Sequence, residues 1–312
     1  MQLLWFLSNL RTPFGDTLFS LLTHFGEQRA VLCIVLAVFW CRDKQAGYYL
    51  LTVDFFGSVI NQFLKLFCRV PRPWVRDSSF PIVEAAREHA SGYSFPSGHT
   101  QNVTGTLGGL AVWYRDRRFR VVCLLLILTV AFSRCYLGVH FPTDVLTSLG
   151  IGLLLVFLLR PFFPTDEGKK NRLLGVFACG TFLALGKLLH AMFLVPENVD
   201  AANLSVAVKN SWSMLGGFLG LLIAYPIERR WIRFEPQTVW WAQLVKLGGG
   251  LIIVLLLYQY SGSLLGRLFV HHAAITCGLR YLLLLFFSIL LWPSLFRFLP
   301  SRTPKSKHTV RK

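Results

Sequence analysis

Residues 130–160 read VAFSRCYLGVHFPTDVLTSLGIGLLLVFLLR. They join two apolar runs, 119–137 and 142–160, each close to the roughly 20 residues an α-helix needs to cross a bilayer. The polar groups fall at the junction: Ser133-Arg134, then five residues, then His140-Phe-Pro-Thr-Asp144. Ionisable side chains at a membrane-helix end are costly to place and point to a function. His140 and Asp144 are spaced i, i+4, so on a helix they share a face. Pro142 suits the first turn of the second helix, where its missing N–H costs nothing. The reading is an all-α integral membrane protein, a multi-span helical bundle with its chemistry at helix ends.

The whole chain agrees. Of its 312 residues 54% are hydrophobic and only 15% charged, with a mean hydropathy of +0.52; an ordinary soluble domain has about 25% charged residues. Such hydrophobicity excludes a disordered chain. The net charge of +17, from 32 Lys and Arg against 15 Asp and Glu, would suit a nucleic-acid partner, but the hydropathy does not. Further spans are expected at 29–41, 46–67, 99–114, 172–195, 211–227, 239–260 and 278–296, making nine. The segment 3–22 is interrupted by Arg11, Pro13, Gly15 and Asp16, so residues 1–28 are expected to form an interfacial amino-terminal helix; crossing by this segment, the alternative, would make ten spans. Nineteen of the 32 basic residues fall on one set of alternate loops and the tail, which the positive-inside rule makes cytoplasmic. That set includes Arg42, Lys44, Arg115, Arg160, Lys169, Lys170, Arg229 and the basic cytoplasmic tail 298–312. Glu197 and Asp200 lie on the opposite side. The start shows no cleaved signal peptide. The seven cysteines form no CxxC pair and read as buried free thiols, with no metal site.

Two more polar clusters lie on the same outer side as His140. One closes the span 46–67 with Lys65 and, after a short linker, Arg72-Pro73. The other, Phe95-Pro96-Ser97-Gly98-His99, opens the span 99–114. Lys65, Arg72 and Arg134 bring positive charge to one depth, and an arginine fork suits a tetrahedral oxyanion. Ser97 stands at an N-cap, and the free N–H groups of Gly98 and His99 would face an anion. A phosphoryl transfer without a metal needs a nucleophile and a proton donor. His140, oriented by Asp144, suits the first role, and His99 is left for the second. Elsewhere, Asp54, Asn61 and Gln62 inside a span read as cross-helix partners, with lining of the substrate path as the alternative, and Lys187 and His190 as membrane-end anchors, with contact to a substrate headgroup as the alternative.

The set K-x6-RP, PSGH and SR-x5-H-x3-D resembles the signature of the type 2 phosphatidic acid phosphatase (PAP2) and vanadium haloperoxidase superfamily. The resemblance implies that His140 forms a phosphohistidine, Asp144 orients it and His99 protonates the leaving group. It implies that Lys65, Arg72, Ser97, Gly98 and Arg134 bind the phosphate, with no metal or other cofactor. It also divides the chain into a PAP2-type catalytic membrane core over 29–160 and additional transmembrane helices over 161–297. The expected partners are membrane lipid and a lipid phosphate or pyrophosphate, with no nucleic acid. The expected enzyme is an integral-membrane phosphatase with an extracytoplasmic or lumenal site. A sugar-phosphate phosphatase, a lipid phosphotransferase and a non-catalytic transporter or scaffold are the alternatives.

Overall fold

The computed structural model describes residues 1–88, 90–164, 172–195, 199–269 and 273–300. Lys169, Lys170, Glu197, His271, His272 and the tail from residue 301 onward lie outside the described residues. Among those described, the chain is a bundle of helices: α1 (Gln2–Asn9), α2 (Pro13–Thr23), α3 (Gln28–Cys41), α4 (Lys44–Cys68), the short α5 (Pro73–Arg76), α6 (Gly98–Tyr114), α7 (Arg117–Tyr136), α8 (Pro142–Leu159), α9 (Arg172–Phe193), α10 (Ala201–Ile227), α11 (Trp240–Leu268), α12 (Ala273–Phe286) and the short α13 (Trp292–Ser294).

Among the described residues, seven helical stretches are long and apolar enough to cross a membrane alone, or eight if α2 with the turn His24–Gly26 and α3, bent by 52° across Glu27, are one broken span. Helices do occupy all nine expected places. The difference lies in α3, with 14 residues, and α6, with 17. Helix α6 runs through the interior, where its threonines and glycines meet protein rather than lipid. Lipid-facing positions instead carry exposed Leu124, Leu125 and Leu128 on α7 and Ile252, Leu255 and Leu256 on α11.

The single amino-terminal helix expected over 1–28 is corrected to two helices. The chain breaks at Leu10–Thr12, where the Thr12 hydroxyl accepts from the Gly15 N–H and Pro13 starts α2. The charge that interrupts the segment ties it down: Arg11 donates to the carbonyls of Tyr136 and Pro81, both at 2.8 Å. Leu4 and Leu7 pack with Phe80 and Ala131.

Helix α4 is the axis of the bundle and packs against α3, α6, α8, α9 and α10. Small residues let its neighbours close in, as is usual where lipid provides no hydrophobic drive between helices. A Cβ on Gly109 of α6 would run into Leu50, and one on Gly152 of α8 would meet Thr104 at 2.8 Å. The carboxy-terminal helices dock on α3 and α4 through aromatic rings and a few buried polar bonds. Phe218 of α10 stacks edge-on against Phe55 and Phe56. The Trp40 indole donates to the Ser288 carbonyl at 2.8 Å, and Lys44 pairs with buried Glu228 at 2.9 Å. Lys187 is not a membrane-end anchor. It is buried between α9 and α10, donating to Ser211 Oγ at 2.6 Å and to the Ala207 carbonyl at 3.0 Å. The cysteines also depart from expectation: all are free, but only Cys123 and Cys135 are buried, and Cys68 and Cys179 are exposed.

The basic loops gather at one end. Arg42, Lys44, Arg229 and Arg233 line one recess there, and Arg115, Arg120 and Arg160 another. Arg160 lies 4.1 Å from the Trp113 ring, whose N–H donates to Asp43. Lys44 and Lys65 begin and close α4, so about 30 Å of helix, the thickness of a hydrocarbon core, separates that end from the polar clusters.

Candidate active site

Four chain segments meet at the far end of α4. Its last turn carries Lys65, and Arg69 in a left-handed conformation (φ 51°) ends it. Arg72 is the N-cap of α5, with Pro73 in the first position. Ser97 is the N-cap of α6, its hydroxyl accepting from the Thr100 N–H and O–H. Arg134 lies in the last turn of α7 and Asp144 in the first turn of α8. Between these two helices the chain turns at Gly138 (φ +81°), where a Cβ would also press on the Phe80 ring. The Arg134 carbonyl accepts the N–H groups of Val139 and His140, which fixes the histidine backbone against the helix end.

His140 is held from both ring nitrogens. Arg72 Nη1 lies 3.0 Å from its Nε2, and Asp144 Oδ2 lies 3.3 Å from its Nδ1. A guanidinium can only donate, so Nε2 keeps its lone pair and the ring proton sits on Nδ1, toward Asp144. The side chain is 2% exposed. Burial first, then the positive charges of Arg72, Lys65 and Arg134, hold its pKa well below the ordinary histidine range, so the ring is neutral at pH 7. Asp144 is itself anchored: Oδ2 also accepts from Ser94 Oγ at 2.5 Å and from the Phe141 N–H at 2.9 Å.

Arg72 spreads the rest of its fork over backbone carbonyls, those of Gly92 at 3.0 Å, Ser91 at 2.7 Å and Val139 at 2.9 Å. Lys65 donates to the carbonyls of Tyr93 and Ser94. The loop 91–94 thus aligns both cations with the histidine. Lys65, Arg72, Gly98, His99 and His140 line one cleft of about 370 Å³. A Cβ on Gly98 would meet nothing within 4 Å, so the α6 backbone faces open space there. His99 is set by the turn before α3: Gly26 packs directly on it, and Asn102 Nδ2 donates to the Gly26 carbonyl at 3.0 Å. Ser97 and Arg134 do not line the cleft and are fully buried beside it. Arg134 Nη1 donates to Thr23 Oγ1 at 2.5 Å, while its Nε and Nη2 find no hydrogen-bond partner among the described residues.

Sequence reasoning misses several participants. Ser94 braces Asp144, and Thr23 holds Arg134; both reach the site by loop or helix docking, with no spacing to announce them. For Gln62 the structure favours the alternative reading, since it lines the cleft. Arg29 of α3, Asn210 of α10 and Tyr258 of α11 complete its wall, so the carboxy-terminal helices contribute directly. Among the described residues, no three His, Cys, Asp or Glu side chains gather as a metal-ligand set.

A family profile described as the PAP2 superfamily matches residues 45–167, and one described as the PAP2 superfamily phosphatase, transmembrane extension, matches 212–304. Undecaprenyl-diphosphatase BcrC of Bacillus subtilis is 31% identical over 158 residues, covering 47% of this chain and 78% of that one. The chain belongs to the PAP2 superfamily. Phosphatidylglycerophosphatase B, also of Bacillus subtilis, is 29% identical over 175 residues, 52% of this chain and 80% of that one. Among solved structures, the PAP2-type phosphatidylglycerolphosphate phosphatase of Bacillus subtilis is 26% identical, covers 52% of this chain and 82% of that one, and gives a TM-score of 0.45. The PAP2 match spans the cleft residues from Gln62 to His140, together with Asp144 behind His140, and the extension match contains Tyr258. The protein is a multi-pass PAP2 membrane phosphatase with a carboxy-terminal transmembrane extension.

Proposed function

We propose that this phosphatase hydrolyses a lipid phosphate or pyrophosphate through a phosphohistidine on His140, without a metal, at the extracytoplasmic face. One observation carries the reading: a buried neutral imidazole backed by Asp144, whose unprotonated Nε2 accepts from Arg72 in the wall of a cation-lined cleft. Lys65 and Arg72 take two phosphoryl oxygens, with Gly98 and the amino end of α6 on a third. Arg134, Ser97 and Asp144 support the wall from behind. His140 Nε2 attacks phosphorus, and the bond to the leaving oxygen breaks with its electron pair. His99 gives that oxygen a proton. As the imidazolium forms, Asp144 stabilises the proton on Nδ1. His99 then takes a proton from water, which displaces His140 and releases inorganic phosphate. The relatives named for phosphatidylglycerophosphate and undecaprenyl diphosphate support a lipid substrate. The separation of the cleft from the basic end supports an extracytoplasmic site.

The test is phosphate release from tail-matched lipid phosphates by the purified chain in detergent micelles. Release that is unaffected by EDTA and blocked by vanadate, a mimic of the trigonal-bipyramidal transition state, is the expected result. Abolition by EDTA, with recovery on adding a divalent cation, would refute the metal-free route.

The pH profile gives a second check. The free enzyme needs His140 unprotonated, and the surrounding cations keep it so. Lowering the pH costs activity only once it passes the folded-state pKa, so the acid limb of kcat/KM assigned to His140 falls well below the ordinary value of about 6.5. Replacing Arg72 by Gln removes the nearest positive charge and should move that limb upward. An acid limb that does not shift in the Arg72→Gln variant would count against the electrostatic account.

A further inference from the structure

The cleft holds more positive charge than one phosphoryl group requires. Lys65 and Arg72 stand on the wall made by α4, α5 and α8, around His140. Arg29 stands on the part supplied by α3, α10 and α11. Its guanidinium lies 5.5 Å from the centre of the Tyr258 ring, met by an aromatic face rather than a carboxylate among the described residues. On the same ring lies Arg280 of α12, at 4.8 Å. Two guanidiniums on one ring repel each other, and an anion in the cleft would relieve that cost. Glu27 is the one carboxylate among the described residues of the wall, and His24 Nδ1 lies 2.6 Å from its Oε1. Asn210 brings an amide to the same region.

We propose that Arg29, seated on Tyr258, forms with Asn210 of the same cleft a second phosphoryl-binding subsite, so that the preferred substrate is a lipid diphosphate. The proposal rests on His140 being the nucleophile. The bond from His140 Nε2 to the terminal phosphorus forms, and the bridging P–O bond breaks. The electron pair leaves on the lipid monophosphate, and Arg29 and Asn210 receive its charge. Water then releases the terminal group as inorganic phosphate. The transmembrane extension, through Tyr258 and Asn210, thereby becomes part of the substrate site rather than a separate module.

The first measurement needs no turnover. Inorganic phosphate and methylenediphosphonate, whose P–C–P bridge resists hydrolysis, are titrated calorimetrically into the full chain and into Arg29→Ala. Loss of a charge-assisted contact should weaken methylenediphosphonate binding by about tenfold and phosphate binding by about twofold or less. Tyr258→Leu should reproduce the loss, while Tyr258→Phe, which keeps the ring face, should not. Equal weakening of both anions, or unchanged methylenediphosphonate affinity in Arg29→Ala, overturns the subsite. The second measurement compares kcat/KM for a tail-matched lipid diphosphate and monophosphate. Arg29→Ala should lower only the diphosphate value, by about tenfold, and an equal fall on both lipids also overturns the proposal. If the parent chain released phosphate from neither lipid, the hydrolase reading would fail, while the anion titrations would still decide the subsite.

Discussion

His140→Ala should release phosphate at least about 10⁴-fold more slowly than the parent, because it removes the atom that attacks. The variant should remain folded. The His140 side chain bonds to Arg72 and Asp144, and each keeps other partners: Arg72 three backbone carbonyls, and Asp144 the Ser94 hydroxyl and the Phe141 N–H. Phosphate affinity offers a control, since Lys65 and Arg72 still line the cleft. The decisive readout is the intermediate. Acid-labile, base-stable phosphate on the parent chain after a quench, absent from His140→Ala, identifies the phosphoramidate. Retained activity, or a trapped phosphoryl group on another residue, would sink the mechanism. Asp144→Asn should fall between, because the amide keeps the contact to Nδ1 but lacks the charge that stabilises the imidazolium.

What the sequence discloses, and what it hides, follows from the range of the interactions. The three polar clusters are visible because each is encoded within a few residues at a helix end. His140 and Asp144 are an i, i+4 pair, and Ser97 is a cap next to the two residues whose N–H groups it exposes. Their convergence depends on α4, α6, α7 and α8 packing side by side, which the family resemblance supplies and spacing alone does not. Ser94, Thr23 and Arg29 lie in no periodic pattern. They reach the site because a loop folds over α8, because α2 docks on α7, and because α3 begins at the cleft. Tyr258 comes from a helix that hydropathy marks only as a span, and Asn210 falls just outside the expected span 211–227, on the earlier turns of a helix that begins at Ala201. The same blindness affects the counting of spans. Hydropathy treats every helix as if lipid surrounded it, but α6 lies inside the bundle and has a cross-section of glycines and threonines. The interruption at Arg11, Pro13, Gly15 and Asp16 is visible in the sequence, but the split into two helices and the use made of Arg11, clasping Tyr136 and Pro81, are not. Lys187 misleads for a related reason: a lysine near a span end usually snorkels, but here Ser211 and the Ala207 carbonyl give it partners one helix away.

His99→Ala should separate the two classes of lipid substrate. A general acid matters in proportion to the basicity of the group that leaves. In a lipid monophosphate the leaving atom is an alkoxide oxygen, about as basic as hydroxide, with a conjugate-acid pKa of roughly 15.7 for water. In a lipid diphosphate it is a phosphate oxygen, whose second pKa is about 6. It can depart at neutral pH without a proton, provided that its charge is met. Removing His99 should therefore cost about 10² to 10⁴-fold in kcat on the monophosphate and about tenfold or less on the diphosphate. The same logic reverses for Arg29, which meets charge rather than supplying a proton, so the two substitutions should show opposite substrate dependence. An aryl phosphate with an acidic phenol as leaving group should behave like the diphosphate toward His99→Ala and like the monophosphate toward Arg29→Ala. That third substrate distinguishes loss of a proton donor from loss of a charge. If His99→Ala slowed all three equally, His99 would be acting in both cases on the phosphoryl group or on the water. The leaving oxygen would then take its proton from elsewhere in the cleft, and Lys65 and Tyr258, wall groups able to donate one, would be the next residues to substitute.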